Sequence, residues 1–142
     1  MEPAYLAGFI DGEGTIGIIH YRRPDGYIRR RLHLQITNTN LQQLEDIRRE
    51  FGGMAIQHRS RNPKHKDSYD LKWCDYRCVP VLQKVLPYLK IKSEQAEIAL
   101  SYQRLKYGRG DDRKNGLDPQ NMMVAGLLFC RMRKLNRKGR DG

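Results

Sequence analysis

The stretch Leu6-Ala7-Gly8-Phe9-Ile10-Asp11-Gly12-Glu13-Gly14, near the start of the chain, carries the most information about its fold. Pro3 suits the first turn of a helix, and Gly12 and Gly14 are residues that end one. These positions predict a short helix over residues 3–11. Small residues on this helix allow a second helix backbone to approach closely. They are Ala4, Ala7 and Gly8.

Two acids separated by a glycine, Asp11 and Glu13, follow at the end of this helix. A carboxylate that faces a polyphosphate is repelled unless a divalent cation lies between them. Such a cation is also what phosphodiester hydrolysis needs. The plain alternative is a helix that ends in two solvated acids, with its glycines in a turn.

The rest of the chain predicts an α+β domain. Strands are expected over 15–21, 27–37, 54–61 and 68–73, and helices over 41–51, 78–86 and 93–107, with a last one from Asp118-Pro119 onward. In the second strand, apolar residues alternate with polar ones, and Arg30 is the one misfit on the apolar side. This alternation predicts one sheet with an apolar back, covered by helices, and a basic front.

The charge balance points to a polyanionic partner. The chain of 142 residues has the size of one domain, and 39% hydrophobic residues are enough for a core. Its 27 Lys and Arg residues outnumber 16 acids, which gives a net charge of +11. Nucleic acid is therefore the first candidate partner, and solubility or ribosome association is the alternative.

Membrane and export functions are not expected. The longest dense apolar stretch runs from Met122 to Cys130, far short of the roughly 20 residues that span a bilayer. The N-terminus shows no export signal, and the odd number of cysteines, three, favours reduced thiols. We expect an intracellular protein, of a bacterial cytoplasm or an organelle, with no membrane partner and no secretion.

The segment 6–14 resembles the defining motif of the LAGLIDADG homing endonucleases. The letters that name the family are matched at Leu6, Ala7, Gly8, Ile10, Asp11 and Gly14. Phe9 replaces Leu, Gly12 replaces Ala, and Glu13 replaces the second Asp. The order of elements and the segment 87–92 are also similar to this family. The resemblance divides the chain into an endonuclease domain, 1–107, and a basic linker and helix, 108–142, packed on or extending the same domain.

The resemblance implies a fold and an activity. The fold is α-β-β-α-β-β-α, with a four-stranded antiparallel, saddle-shaped sheet and helices on one face. Single-motif members are homodimers, so two copies of the first helix are expected to pack together. The implied activity is Mg²⁺-dependent hydrolysis of double-stranded DNA at a long pseudo-palindromic target, as an intron-encoded enzyme. Mn²⁺ is expected to substitute, and Ca²⁺ to support binding with little cleavage. The implied dimer contacts are Ala4, Ala7, Gly8 and Asp11.

The resemblance also implies roles for single residues. Glu13 and the Gly12 backbone carbonyl become metal ligands, whereas Asp11 is mainly structural and less expected to touch the metal. Lys92 is expected near the scissile phosphate, where a cation stabilises developing charge, although it could be an ordinary surface lysine. Asn38 is expected to order water, and Gln42 stands where some relatives carry an arginine. The implied catalytic set is Glu13, Lys92, Asn38 and Gln42.

Specificity is expected from the polar face of the sheet. Arginine reads guanine bidentately and glutamine pairs with adenine, while other side chains contact only phosphate. The basic C-terminal tail is expected to contact the DNA backbone, unless it merely solvates the chain end. The candidate DNA-binding residues are Tyr21, Arg23, Arg29, Arg31, His33, Gln35, Gln57, Arg59, Arg61, Ser68, Asp70, Lys72, Arg137 and Lys138.

Two other functions fit the same fold. An RNA-binding intron maturase can keep its acids, so Glu13 does not separate that hypothesis from an endonuclease, and RNA stays a possible partner. A DNA-binding regulator without nuclease activity would typically have lost the motif acids, so the presence of Glu13 argues against it. Cleavage of duplex DNA with Mg²⁺, against stimulation of intron splicing, separates the first two.

Overall fold

A computed structural model of the protein describes residues 1–22, 24–26, 28–59, 67–107 and 119–141. Its strands and helices follow one another in the predicted order. They are α1 (Pro3–Glu13), β1 (Gly14–Arg22), β2 (Ile28–Asn38), α2 (Leu41–Phe51), β3 (Gln57–Arg59), β4 (Ser68–Cys74), α3 (Cys78–Val85), α4 (Ser93–Tyr107) and α5 (Pro119–Asp141). Short 3-10 turns, Asp75–Arg77 and Leu86–Tyr88, flank α3, and Pro87 lies in the second of them.

The strands form one antiparallel four-stranded sheet in the order β1-β2-β4-β3. The α+β class predicted from the sequence is therefore confirmed. Side chains on one face of β2 and β4 are buried against the helices, as the alternation predicted. They are Leu32, Leu34, Ile36, Leu71 and Trp73.

The first helix is longer than the sequence predicted. It continues through Gly12 and ends at Glu13, where Gly14 begins β1. A Cβ atom at position 14 would lie 2.8 Å from both the Cα and the carbonyl oxygen of Ile10. Glycine is needed there because the chain turns from helix to strand against its own backbone. Glu13 is consequently held at the junction of α1 and the sheet.

Two other predicted elements are adjusted. Asn40 caps α2 as its sequence indicates, since its side chain accepts from the backbone N–H of Gln43 at 3.1 Å. The third strand begins later than predicted, at Gln57 instead of Met54, and within the described residues it pairs with β4 over Gln57–Arg59. The Met54 N–H still donates to the Lys72 carbonyl, outside this pairing. The predicted basic loop 62–66 and linker 108–117 lie outside the described residues.

The C-terminal helix α5 packs on α4 and on the edge strand β1. Met132 is 1% exposed, and Asn136 Nδ2 donates to the carbonyl oxygen of Ile16 at 3.0 Å. The same helix explains the misplaced Arg30. Its guanidinium carbon lies 4.9 Å from the centroid of the Phe129 ring. This cation-π interaction stabilises the positive charge of Arg30 on the apolar side of the sheet.

The sequence also led us to expect reduced thiols and no membrane-spanning segment. The cysteines Cys74, Cys78 and Cys130 are free. Of the helices in the described part of the chain, none combines the length and the apolar character needed to cross a membrane.

Candidate active site

Glu13 is the exposed acid at the end of α1, and Asn38 at the end of β2 holds it. Asn38 Nδ2 donates to Glu13 Oε2 at 2.6 Å. The Asn38 Oδ1 atom accepts from the backbone N–H of Asn40 at 2.7 Å, which sets the orientation of the amide. The Asn38 amide nitrogen must therefore face the Glu13 carboxylate. This hydrogen bond fixes the position of one Glu13 carboxylate oxygen.

Asp11, two residues earlier on the chain, has its hydrogen-bond partners within its own chain. Its carboxylate accepts three backbone N–H bonds, from Lys90 at 2.8 Å, Ile91 at 3.2 Å and Lys92 at 3.0 Å. Charge-assisted bonds of this kind are the strong ones. They join the end of α1 to the segment that leads into α4, which favours a structural role for Asp11 over metal binding.

Lys92 makes the reverse connection to α1. Its Nζ atom donates to the carbonyl oxygens of Ile10 at 3.2 Å and Asp11 at 2.8 Å. The carbonyl oxygens at the C-terminal end of a helix carry partial negative charge, so an ammonium group stabilises them. Burial lowers the pKa of Lys92 from the usual lysine value, and the charge of Asp11 opposes this shift. The amine thus lies at the C-terminal end of α1, against the residues that directly precede Gly12.

Glu13 and Gly12 fit a hard divalent cation, which takes carboxylate and carbonyl oxygens. Both residues are exposed at the end of α1. The described residues contain no group of three or more His, Cys, Asp or Glu side chains that could hold a metal alone. Magnesium suits such a site, because it keeps several waters and commonly binds one or two carboxylates together with phosphate.

Gln42 contacts Asp46 on its own helix, not Glu13, Asn38 or Lys92. Its Nε2 atom donates to Asp46 Oδ1 at 3.0 Å, one turn further along α2. A helix readily forms this pairing between residues four apart, so the side chain lies along the helix surface. Its place in the implied catalytic set has no support in the geometry.

The strand register brings most of the described specificity candidates onto one surface, the polar sheet face. Directly paired residues in antiparallel strands present their side chains on the same side. Gln35 pairs with Lys72, and Gln57 pairs with Asp70. The polar sheet face comprises Arg31, His33, Gln35, Thr37, Gln57, Arg59, Ser68, Asp70 and Lys72.

Asp70 differs from its prediction as a contact residue. It is only 7% exposed, its Oδ1 accepts from the Thr37 hydroxyl at 2.6 Å, and its Oδ2 lies 3.2 Å from Arg59 Nε. Gln35 in turn donates to the Thr37 hydroxyl at 3.3 Å. Asp70 is thus a nearly buried acid that holds Thr37 and Arg59 in place. Thr37, which the sequence did not single out, belongs to the same hydrogen-bond network.

His33 lies in the middle of the polar sheet face, opposite Gly17 of β1. A Cβ atom at Gly17 would come within 2.8 Å of His33 Nε2, so the glycine makes room for the imidazole. Burial, and then the positive charge of Lys72, lower the pKa of His33 from its usual value. The imidazole is accordingly neutral at pH 7.

The outer side of α1 is open. Ala4, Tyr5, Gly8 and Gly12 are exposed, and a Cβ atom at Gly8 or Gly12 would meet nothing within 4 Å. Ala7, however, is 0% exposed in the core of its own subunit, so its prediction as a dimer contact is wrong. One position along a helix turns a residue by about 100°, which separates Ala7 from the face that carries Gly8.

The remaining candidates are described only in part. Arg137 is exposed on α5. Arg23 and Arg61 lie outside the described residues, as do the side chains of Tyr21, Arg29 and Lys138.

The fold and the acid-tipped first helix define the class of the protein. The family model of the LAGLIDADG endonucleases matches residues 6–90, and the chain belongs to this family.

Solved structures of homing endonucleases are similar over nearly the whole chain. I-CvuI in complex with the I-CreI target in the presence of Mg is 28% identical, with a TM-score of 0.73 over 94% of this chain and 80% of that one. The archaeal intron-encoded I-Vdi141I, complexed with DNA, is 17% identical, with a TM-score of 0.75 over 94% and 82%. I-TnaI is 20% identical, with a TM-score of 0.64 over 99% and 97%. No curated protein sequence matches the chain.

Replacing Asp11 by asparagine should destabilise the folded subunit without any DNA or metal. Asparagine offers one acceptor oxygen, and its NH₂ group then faces backbone N–H donors. We expect the free energy of unfolding to fall by about 1–3 kcal/mol, measured by urea denaturation in metal-free buffer. Asp46→Asn, which removes a partly exposed acid on α2, should change it by less than about 0.5 kcal/mol. An Asp11→Asn protein with unchanged stability would contradict the structural role.

Proposed function

We propose that the protein is a site-specific endonuclease that cuts both strands of duplex DNA at a long pseudo-palindromic target. The observation that carries this proposal is the exposed Glu13 carboxylate, held by Asn38 at the end of α1 and next to a basic sheet face. Family membership supports it, and so do similar enzymes whose structures contain DNA. The reaction is hydrolysis of a phosphodiester, and the enzyme is intracellular and intron-encoded.

The Glu13 carboxylate and the Gly12 carbonyl would hold the divalent cation, Mg²⁺ or Mn²⁺. When bound, the cation neutralises phosphate charge and lowers the pKa of a water molecule. Asn38 keeps one Glu13 oxygen in place, and its polar atoms can also order water. Similar I-CvuI complexes with DNA were obtained in the presence of Mg in one case and of Ca in another. For this chain we expect Ca²⁺ to support binding with little cleavage.

Lys92 adds a positive charge beside the same helix end. Its ammonium already lies against the carbonyl oxygens of Ile10 and Asp11. From there it stabilises negative charge that develops on the phosphate, which electrostatic preorganisation makes more effective than in water.

The active unit is a homodimer related by a two-fold axis. The chain has one motif, and the exposed side of α1 is lined by small residues that let a second backbone approach closely. Two copies place two Glu13 residues near the axis, one for each DNA strand. A symmetric dimer reads a symmetric target, so the site is a pseudo-palindrome.

Base recognition belongs to the polar sheet face, and backbone contact to α5. Arginine and glutamine side chains on β2 and β3 can reach base edges in a major groove. Asn136 fastens α5 to the edge strand β1, which keeps the exposed Arg137 next to the sheet. A cation there adds affinity that does not depend on base sequence.

Glu13→Gln should abolish cleavage while leaving DNA binding intact or improved. Glutamine keeps the volume and an acceptor for Asn38 but loses the charge that holds the cation and repels phosphate. We expect a loss of about 100-fold or more in the cleavage rate, because a catalytic metal contributes several kcal/mol. Target sites selected from a random duplex library supply the substrate.

The matched control for this experiment is Glu45→Gln, which removes an exposed acid on α2 and should cleave like the unmodified protein. If the Glu13→Gln variant still cuts the selected sites, the catalytic centre lies elsewhere.

Gly8→Leu should prevent dimer formation and cleavage without unfolding the subunit. The Cβ position at Gly8 is open within one chain, so a leucine there protrudes only toward a second copy. The glycine at position 126 on α5 is equally open, and Gly126→Leu serves as the control. Circular dichroism should show both variants folded, and sedimentation on DNA should show a dimer for Gly126→Leu alone. A fully active Gly8→Leu enzyme would rule out this interface.

A further inference from the structure

Arg31 of the polar sheet face is held from one side by an acid. Its Nε atom lies 3.3 Å from Asp75 Oδ2, and the two side chains are 48% and 19% exposed. The guanidinium is planar, and its Nη1–Nη2 edge lies at the end opposite to the stem. An ion pair through Nε therefore restricts the side chain and leaves the terminal edge pointing away from the acid.

The backbone of Asp75 is unusual at this point. Its φ angle is +53°. Among the described residues, no other residue except glycine has a positive φ. L-residues adopt this region at an energetic cost, although Asp and Asn tolerate it better than most. Local strain that a fold maintains is commonly connected with function.

The left-handed turn moves the Asp75 carboxylate across the sheet. Cys74, the last residue of β4, pairs with His33 and shares its face, whereas Trp73 is buried on the other one. A strand continued without a turn would place residue 75 on the same side as Trp73, because side chains alternate. The positive φ breaks this alternation, and the carboxylate comes to lie beside Arg31 on the polar sheet face.

A second arginine on this face is held in the same way. Arg59 Nε lies 3.2 Å from Asp70 Oδ2, and Asp70 is nearly buried. In both pairs the Nε atom of an arginine lies 3.2–3.3 Å from an aspartate Oδ2 atom. The repetition on two different strands indicates that both acids orient an arginine on this face. An acid on a surface that meets phosphate weakens affinity for every DNA, so its benefit must lie in selectivity.

We propose that Asp75 is a positioning residue for base recognition, which orients Arg31 to read a guanine through its Nη1–Nη2 edge. Two parallel hydrogen bonds to guanine O6 and N7 are the commonest specific contact in a major groove. Asp75 holds the side chain in that geometry before binding and so reduces the entropy lost on binding. The proposal rests on the proposed function of the polar sheet face as the DNA-reading surface.

The test compares variants by selection of bound sites from a randomised duplex library, in Ca²⁺, so that no cleavage is needed. Arg31→Ala should lose the preference for guanine at one base pair in each half-site, by about 5- to 150-fold. Asp75→Asn should reduce the preference at the same base pair and bind scrambled DNA more tightly, because a repulsive charge is gone. Combined with Arg31→Ala, it should reduce the preference no further.

Asp75→Gly separates positioning from folding. Glycine adopts a positive φ freely, so this variant should keep its melting temperature while it loses the guanine preference as Asp75→Asn does. Asp46→Asn removes an acid of equal charge from α2 and should leave the selected sequence unchanged.

The outcomes distinguish the two levels of the proposal. If the unmodified protein selects no sequence, the proposed function is wrong, and the role of Asp75 falls with it. If Arg31→Ala changes the selected sequence while both Asp75 variants select the original one, only the role of Asp75 is wrong. A lower melting temperature with unchanged base preference would likewise show that Asp75 is merely structural.

Discussion

The carboxylate of Asp11 and the amine of Lys92 form a reciprocal set of bonds on which the site depends. Asp11 accepts three N–H bonds from residues 90–92, and Lys92 donates back to the last carbonyls of α1. The two directions of bonding fix the end of α1 relative to the start of α4. Glu13 follows two residues later and inherits this position, so an acid that is itself exposed becomes well placed.

Much of the fold was predictable because it depends on local periodicity. The alternation in β2 assigned the two faces of the sheet, and Leu32, Leu34 and Ile36 are buried as that alternation indicates. Asn40 capped α2 as expected of its residue type. The helix end was less predictable, since Gly12 continues α1 and only the close approach at Gly14 stops it. The sequence offered both glycines as helix-ending residues, and only the backbone geometry shows that the one at position 14 meets Ile10.

The sequence singled out Asp11, Glu13, Asn38 and Lys92, but it did not show which residues support the polar sheet face and the helices around it. Asp70 looked like a contact residue because a strand pattern gives its face but not its depth, and its two partners bury it. The Ala7 prediction failed for a similar reason, since small size does not tell which side of a helix meets the core. Asp75 follows the last residue of β4, where a positive φ breaks the alternation of side chains. Asn136 anchors α5 to Ile16, which lies 120 residues earlier in the sequence, so no local pattern indicates this contact.

Under the proposed function, acids on the polar sheet face pose a physical problem, because this face would meet DNA. Each carboxylate repels phosphate, yet Asp70 and Asp75 each engage an arginine at short distance. A paired acid and arginine contribute little net charge, so under the proposed function general attraction to DNA would come from exposed cations such as Arg137 on α5. The sheet can then discriminate by the geometry of its guanidinium groups rather than by charge. Such a separation of attraction from discrimination would let a protein with a net charge of +11 bind DNA readily and still choose its site.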